Sequence, residues 1–276
     1  MNSILTKEDL KFLNKNGIEI KSAVQDKIGI SNRNYLINEK YFLKCGDKNF
    51  YSFSKPLVEL TNLSAKHQLC AKVISFDRYH LLSEYIPNLK SLTNEISSLS
   101  KKHLDEIIKA IKAFHSLNFN GLEKVNYSSL LSSFRNKLKE EQRIYLPEIE
   151  SFLNERQKLT QLTLSHLDLV TNNIMFTESK KVLLFDYEFA CIGMEYFDIT
   201  SLISECEFTT NEKLYLIHLY FDNEEKEKYY LDNLDKYLRG FDLIWYHWAY
   251  LRYLKEENKK KKEIFQQIYL EKKRFI

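Results

Sequence analysis

Residues 165–173 read SHLDLVTNN and residues 181–186 read KVLLFD. The first stretch contains the pattern His-x-Asp-x-x-x-x-Asn, and the second is an apolar strand candidate that ends at Asp186. Taken alone, the loop pattern could be a polar turn, and Asp186 could cap a helix. An apolar strand followed by Asp, placed shortly after the loop pattern, favours one shared site instead.

This combination of side chains suits phosphoryl transfer. Mg²⁺ neutralises phosphate charge in such reactions and prefers oxygen ligands, which Asp and Asn supply. A loop can present Asp and Asn to one site, and an Asp after a strand can reach the same metal. The Asp of the loop then orients the acceptor hydroxyl and accepts its proton. The sequence therefore predicts a kinase-type site with ATP and Mg²⁺ as cofactors.

The chain around these motifs changes from a strand-rich to a helical pattern. The N-terminal third has short apolar strands, a hairpin predicted over 35–44 and one helix over 55–67. Later apolar residues recur with the helical period, most regularly over 104–114. We therefore expect an α+β, bilobal fold. A strand-rich N-terminal lobe would cover residues 1–87, and a mainly helical catalytic and substrate-binding lobe would cover residues 88–276.

The bulk composition excludes several other classes of protein. With 41 Lys and Arg against 38 Asp and Glu, the net charge of +3 provides no field that favours nucleic acid. The basic run 259–262 is flanked by glutamates and is typical of a solvated helix end. No apolar stretch approaches the roughly 18 residues that span a bilayer, and the charged N-terminus is unlike a signal peptide. The four cysteines form no CxxC pair, so we expect reduced thiols in a cytoplasmic protein. From the charge and the apolar stretches we expect no nucleic-acid partner and no membrane insertion.

Two segments carry a family resemblance: LSHLDLVTNNIMF at 164–176 and LLFDYEFACIGMEYFDITSLISE at 183–205. They resemble the choline/ethanolamine kinase family, particularly its bacterial lipopolysaccharide-type choline kinases. That family lies within a wider group that includes the aminoglycoside phosphotransferases and shares the protein-kinase-like fold. The resemblance implies an ATP-dependent kinase of a small hydroxylated molecule.

The resemblance also implies roles for individual residues. Asp168 would be the catalytic base, and His166 would brace its loop. Asn173 and Asp186 would hold Mg²⁺. Asp198 would have a structural role on the following helix, and an ordinary helix N-cap accounts for it equally well.

Further nucleotide-binding residues follow from the same resemblance. The stretch GISN at 29–32 is similar to the family's glycine-containing turn, whose backbone amides cradle phosphates. Lys44 would contact the phosphates, and Glu59 on the following helix would pair with Lys44; surface charges on amphipathic elements are the alternative for both. A hinge strand at residues 84–86 would run along the adenine. The implied cofactor-binding residues are Ser31, Asn32, Lys44, Glu59, Glu84 and Ile86.

A candidate site for a cationic acceptor lies later in the chain. Aromatic faces and a carboxylate hold quaternary ammonium groups, and the two tryptophans, Trp245 and Trp248, share a face of a predicted helix. The choline kinases carry a similar WxxW pair, and Glu205 matches the acidic residue after their FDI segment. The resemblance implies a choline site at these three residues. Packing of both tryptophans in the helical core remains the alternative.

Several acceptors and one role without catalysis remain open. We expect phosphorylation of a small amino alcohol, with choline first and with ethanolamine, thiamine or an aminoglycoside as alternatives. An aminoglycoside site would need a broad acidic lining rather than an aromatic one. A kinase-fold pseudoenzyme is the other alternative, and the intact Asp168, Asn173 and Asp186 argue against it.

Overall fold

Thr6 is the N-cap of the first helix. The Thr6 hydroxyl accepts the N–H of Asp9, and the Asp9 carboxylate accepts the N–H of Thr6, which closes a capping box. The helix then buries Phe12 and Leu13 in an apolar core. Capping and burial together fix this helix although it is too short to be stable alone.

The computed structural model describes residues 4–26, 32–46, 53–124, 132, 134–140, 143, 145–159 and 161–273, with the side chains of 155–159 excepted. In that part of the chain the helices are α1 (Lys7–Lys15), α2 (Lys55–Lys66), α3 (Leu92–Glu95), α4 (Lys101–His115), α5 (Leu146–Leu159), α6 (Phe197–Glu205), α7 (Thr210–Tyr220), α8 (Glu224–Asp232), α9 (Leu234–Lys255) and α10 (Lys259–Lys273). The strands are β1 (Ala23–Asp26), β2 (Arg33–Ile37), β3 (Tyr41–Cys45), β4 (Val73–Phe76), β5 (His80–Glu84), β6 (Lys90–Ser91), β7 (Leu162–Ser165), β8 (Ile174–Phe176), β9 (Val182–Leu184) and β10 (Cys191–Met194).

The chain divides into two compact units. The first comprises Met1–Leu122 and Thr171–Ala190, and the second comprises Glu123–Val170 and Cys191–Ile276. The lobe boundary expected after residue 87 therefore falls inside the first unit. The reason is that β6 pairs with β8, and α4 packs against β9.

A five-stranded antiparallel sheet forms the N-terminal part of the first unit, in the order β1-β2-β3-β5-β4. The predicted hairpin is confirmed, with Tyr35 opposite Leu43 in the β2–β3 register. Alternate residues of these strands point to one face, and there Tyr35, Ile37, Leu43 and Leu82 pack with the buried side of α1. This apolar core thus holds one face of the sheet against α1.

The rest of the first unit carries two polar loops, one before β8 and one after β9. Strands β6, β8 and β9 form a small antiparallel sheet, and α4 buries Ile107, Ile111 and Phe114 beside it. The N–H of Phe185 donates to the carbonyl of Asn173 at 2.9 Å. This bond joins the residues that precede β8 and follow β9.

The second unit is mainly helical. Strands β7 and β10 pair antiparallel, and α9 packs against α5, α6 and α10. A side chain at Gly240 would collide with the Phe152 ring, so glycine permits this close approach between α9 and α5. An antiparallel sheet followed by many helices confirms the predicted α+β class. Over the described residues, no helix has the length and apolar character that crossing a bilayer requires.

Candidate active site

A cavity of about 460 Å³ lies within the first unit. Its volume falls within the range of small-molecule sites, roughly 300–1,000 Å³. Apolar side chains from β3, α2 and β5 form much of the lining, which suits a planar ring, and charged groups line the rest. The cavity brings together five residues that the sequence analysis assigned to ATP and Mg²⁺: Lys44, Glu84, Ile86, Asn173 and Asp186.

The end of β5 offers backbone groups to this cavity. The N–H of Glu84 donates to Lys72 and the N–H of Tyr85 donates to Lys40, at 2.9 and 3.0 Å, so this stretch of backbone is fixed. Ile86 lines the cavity, and its N–H has no acceptor in the part of the chain that the structure describes. An extended backbone with a free donor is suited to the edge of a purine.

The predicted glycine-containing turn is only partly covered by the structure. Ser31 lies outside the described residues, and Asn32 lies directly before β2 with a partly buried side chain. Asn34 and Asp26, on the paired strands β2 and β1, line the cavity instead. The sequence analysis assigned no role to either residue.

Lys44 lies between two carboxylates that follow β9. Its Nζ is 2.5 Å from Asp186 Oδ1 and 3.8 Å from Glu188 Oε2. The side chains of Lys44 and Glu188 are 14% and 9% exposed, so water screens this pair weakly. An ammonium held in this way can be presented to phosphate oxygens in the same cavity.

The structure corrects the expected pairing of Lys44 with Glu59. Glu59 is 52% exposed and pairs instead with Lys55 on the same helix, at 3.6 Å. Val58 and Thr61 line the cavity. Because successive helical residues are turned by about 100°, residue 59 faces away when residues 58 and 61 face inward.

Asn173 and Asp186 offer oxygen donors that fit Mg²⁺. Both line the cavity, and the hydrogen bond between Phe185 and Asn173 ties their loops together. Asp186 has a left-handed backbone conformation, with φ of 65°, which costs energy for a residue other than glycine. Amide and carboxylate oxygens are the ligands that Mg²⁺ prefers, and the ion would neutralise phosphate charge there.

The segment around Asp168 belongs to the second unit and is held by buried side chains. The Asp198 carboxylate accepts the N–H of His166 at 2.8 Å and the N–H of Leu167 at 2.7 Å. His166 is fully buried, and its Nδ1 accepts the N–H of Asp168 at 3.3 Å. Ser201 accepts the N–H of Leu169 at 3.0 Å. These bonds fix a loop in which Leu167 has a φ of 65°, and they leave the Asp168 side chain partly exposed.

The bracing role of His166 and the structural role of Asp198 stay predictions of the sequence analysis. The carboxylate of Asp198 bonds to the loop rather than capping its own helix. Ser201 was missed. Its position one turn after Asp198 on α6 was the available signal, because residues three apart share a helix face.

Glu205 already has a cationic partner within the second unit. Lys272 of α10 bonds to Glu205 and, at 2.8 Å, to Asp242 Oδ1. Lys272 is buried, with its Nζ 5.8 Å from the centre of the Phe241 ring. Burial raises the pKa of Glu205 although the Lys272 ammonium opposes the shift. The Glu205 side chain remains 21% exposed, so part of it is open to a ligand.

Trp245 and Trp248 form a T-shaped pair with ring centres 5.1 Å apart. Both are half-buried rather than enclosed in the core. Trp248 contacts Phe265 of α10, and the Arg252 guanidinium lies 5.3 Å from its ring centre. The pair therefore combines packing contacts with a partly open aromatic surface that already attracts a cation.

Comparison with known proteins identifies the family. Residues 22–231 match the sequence profile described as the phosphotransferase enzyme family. The chain belongs to this family. Among curated proteins, this phosphotransferase is 32% identical over 74 residues to the uncharacterized protein MG356 homolog of Mycoplasma pneumoniae. That match spans 27% of the chain and only 26% of the relative.

Solved structures share the fold over nearly the whole phosphotransferase. A choline/ethanolamine kinase family protein from Mesorhizobium loti is similar with a TM-score of 0.72 and 15% identity, covering 92% of this chain and 87% of that one. Choline kinase LicA from Streptococcus pneumoniae is similar with a TM-score of 0.69 and 18% identity, covering 98% of this chain and 99% of that one. A gentamicin complex of APH(2")-IIa is similar with a TM-score of 0.69 and 15% identity, covering 99% of both chains. These likenesses establish a kinase-like fold and do not choose between acceptors.

Proposed function

We propose that this phosphotransferase is an ATP- and Mg²⁺-dependent kinase that phosphorylates the hydroxyl of a small amino alcohol, with choline as the preferred acceptor. The observation that carries the proposal is the cavity in which Lys44, Asn173 and Asp186 meet beside Ile86, whose N–H has no acceptor among the described residues. A cation, two metal-binding oxygens and a purine-binding edge are the parts that phosphoryl transfer from ATP needs. Retention of all of them argues against a pseudoenzyme.

The proposed reaction assigns one step to each group. The Asp168 carboxylate accepts the proton of the acceptor hydroxyl, and the hydroxyl oxygen forms a bond to the γ-phosphorus of ATP. The bond from that phosphorus to the β–γ bridging oxygen breaks, and ADP leaves with the electron pair. Lys44 compensates the charge of the phosphates, while His166 and Asp198 hold the loop that presents Asp168.

The charge around Glu205 supports an acceptor with one cationic centre. The carboxylates of Glu205 and Asp242 share one ammonium, that of Lys272, in a largely buried cluster. One further cation can pair with this cluster, whereas the several charges of a polycationic aminoglycoside would need more carboxylates. The half-buried Trp245 and Trp248 supply aromatic surface for such a cation.

A cytoplasmic location agrees with this chemistry. The reaction consumes ATP, and the four cysteines at 45, 70, 191 and 206 are free thiols. Free thiols persist in a reducing compartment.

An acceptor panel tests the proposal. Wild-type protein with ATP and Mg²⁺ is offered choline, ethanolamine, thiamine and kanamycin, and both ADP release and the phosphorylated product are measured. The proposal predicts the highest kcat/KM for choline. Turnover of thiamine or kanamycin alone would overturn the acceptor assignment, and no turnover by protein that binds ADP would overturn the proposed activity.

A further inference from the structure

The side chain that should position Lys44 is missing from the place where the family resemblance predicts it. Glu59 lies on the exposed side of α2 and pairs with Lys55. The structure instead presents Lys44 with Asp186 at 2.5 Å and Glu188 at 3.8 Å. Among the described residues, the turn after β9 therefore supplies carboxylate partners of Lys44.

Asp186 has two competing tasks in this arrangement. Its carboxylate neutralises Lys44, and the same carboxylate is the candidate metal ligand. When an Asp oxygen binds a divalent cation, its charge is shared and attracts the lysine less strongly. A second carboxylate must then hold the ammonium if Lys44 is to keep its orientation.

We propose that Glu188 is the positioning residue that holds Lys44 towards the nucleotide phosphates when Asp186 binds the metal. This inference rests on the proposed function of the cavity. Glu188 has the required burial, because its side chain is 9% exposed against 29% for Asp186 and 52% for Glu59. A buried carboxylate needs a compensating cation, and Lys44 lies within ion-pair distance.

The turn that carries Glu188 is anchored on both sides of it. Residues Tyr187–Phe189 form a 3-10 turn in which the N–H of Ala190 donates to the Tyr187 carbonyl at 3.0 Å. The buried Tyr187 ring packs against Phe114 of α4, with ring centres 5.0 Å apart. The backbone of Glu188 is thus held independently of any ligand, which a positioning residue requires.

Equilibrium binding of ADP tests the inference without an acceptor. Calorimetry is performed on wild type and Glu188→Gln, with Mg²⁺ and with EDTA. We expect Glu188→Gln to weaken ADP binding roughly tenfold with Mg²⁺, the usual scale of such a coupling, and by less than about twofold in EDTA, where Asp186 still holds Lys44. Glu106→Gln, which breaks a Glu–Lys pair on α4, is the matched control and should change neither value.

Three further substitutions separate the alternatives. In a Lys44→Met background, Glu188→Gln should have no further effect on ADP affinity. With Lys44 present, Glu188→Asp keeps the negative charge and should lose less ADP affinity than Glu188→Gln. An undiminished effect in the Lys44→Met background would show that Glu188 acts directly on the metal and would overturn the inference. So would loss of affinity in Glu59→Gln with none in Glu188→Gln. Wild-type protein that binds no ADP would instead contradict the proposed function itself.

Discussion

Replacing Asp198 with alanine should destabilise the second unit and reduce catalysis while sparing nucleotide binding. Asp198 is 1% exposed, and its two oxygens accept the N–H groups of His166 and Leu167 at 2.8 and 2.7 Å. The variant removes the acceptor of both N–H groups. It also releases the strained backbone at Leu167 from the contact that holds it.

The size of the effect follows from these two bonds. A hydrogen bond to a charged group contributes about 1.5–3 kcal/mol, so losing two would cost about 3–6 kcal/mol. The variant no longer buries a carboxylate, and the desolvation free energy saved in this way offsets part of the cost. We therefore expect Asp198→Ala to lower the free energy of unfolding by about 3 kcal/mol.

Urea unfolding followed by tryptophan fluorescence provides the assay. The chain has two tryptophans, Trp245 and Trp248, and both lie in the same unit as Asp198. Ser201→Ala, which removes a single acceptor, should cost about 1 kcal/mol. Asp232→Asn on an exposed helix end should stay within about 0.5 kcal/mol of wild type.

The functional half of the prediction uses the same protein. ADP affinity should be unchanged in Asp198→Ala, because the cavity is lined by residues of the first unit. The turnover number should fall at least tenfold because the Asp168 loop is no longer fixed. An unfolding free energy within about 1 kcal/mol of wild type, with normal turnover, would refute this account of the loop.

Three further perturbations test other parts of the structure. Lys272→Met should lower the unfolding free energy by about 3–5 kcal/mol, because two largely buried carboxylates lose their cation; a change below about 1 kcal/mol in urea unfolding would contradict this. Trp248→Ala should raise the KM for the amine about tenfold and leave the KM for ATP unchanged; equal rises in steady-state kinetics would favour a packing role. The thermal midpoint should fall as pH rises above about 6.5, the ordinary pKa of histidine. Burial lowers the pKa of His80, but the hydrogen bonds of His80 to Asp9 and Asp77 outweigh burial, so its pKa in the folded protein is raised. That contribution is complete below pH 6.5 and disappears as pH rises through the raised pKa, so His80→Gln should flatten the fall, and an unaltered slope would count against the pair.

The sequence was most informative where chemistry and strand periodicity coincide. His166, Asp168 and Asn173 are recognisable because one loop carries all three, and Asp186 because an apolar strand precedes it. The hairpin over 35–44 was predictable from alternating apolar residues around polar turn residues. The short strands β7 and β8 were not assigned, since segments of three or four residues are ambiguous without their partner strands.

Long-range pairing limited the prediction of the site. The choice of Glu59 as the partner of Lys44 depended on the rotation of α2, which the packing of Val58 and Thr61 decides. Lys272 gave no local signal, because its carboxylate partners lie in distant elements that only the folded chain brings together. Ion pairs between remote residues follow from tertiary packing rather than from any sequence period.

The most direct test of the central claim compares wild type with Asp168→Asn in Mg²⁺-dependent ADP release with choline, alongside ADP binding by calorimetry. The substitution keeps the shape of the side chain and removes the base. Proton transfer by a positioned group contributes about 10²–10⁴-fold, so turnover should fall at least about 100-fold while ADP affinity stays the same. Turnover within about threefold of wild type would contradict the assignment of Asp168 and place the phosphoryl-transfer site elsewhere.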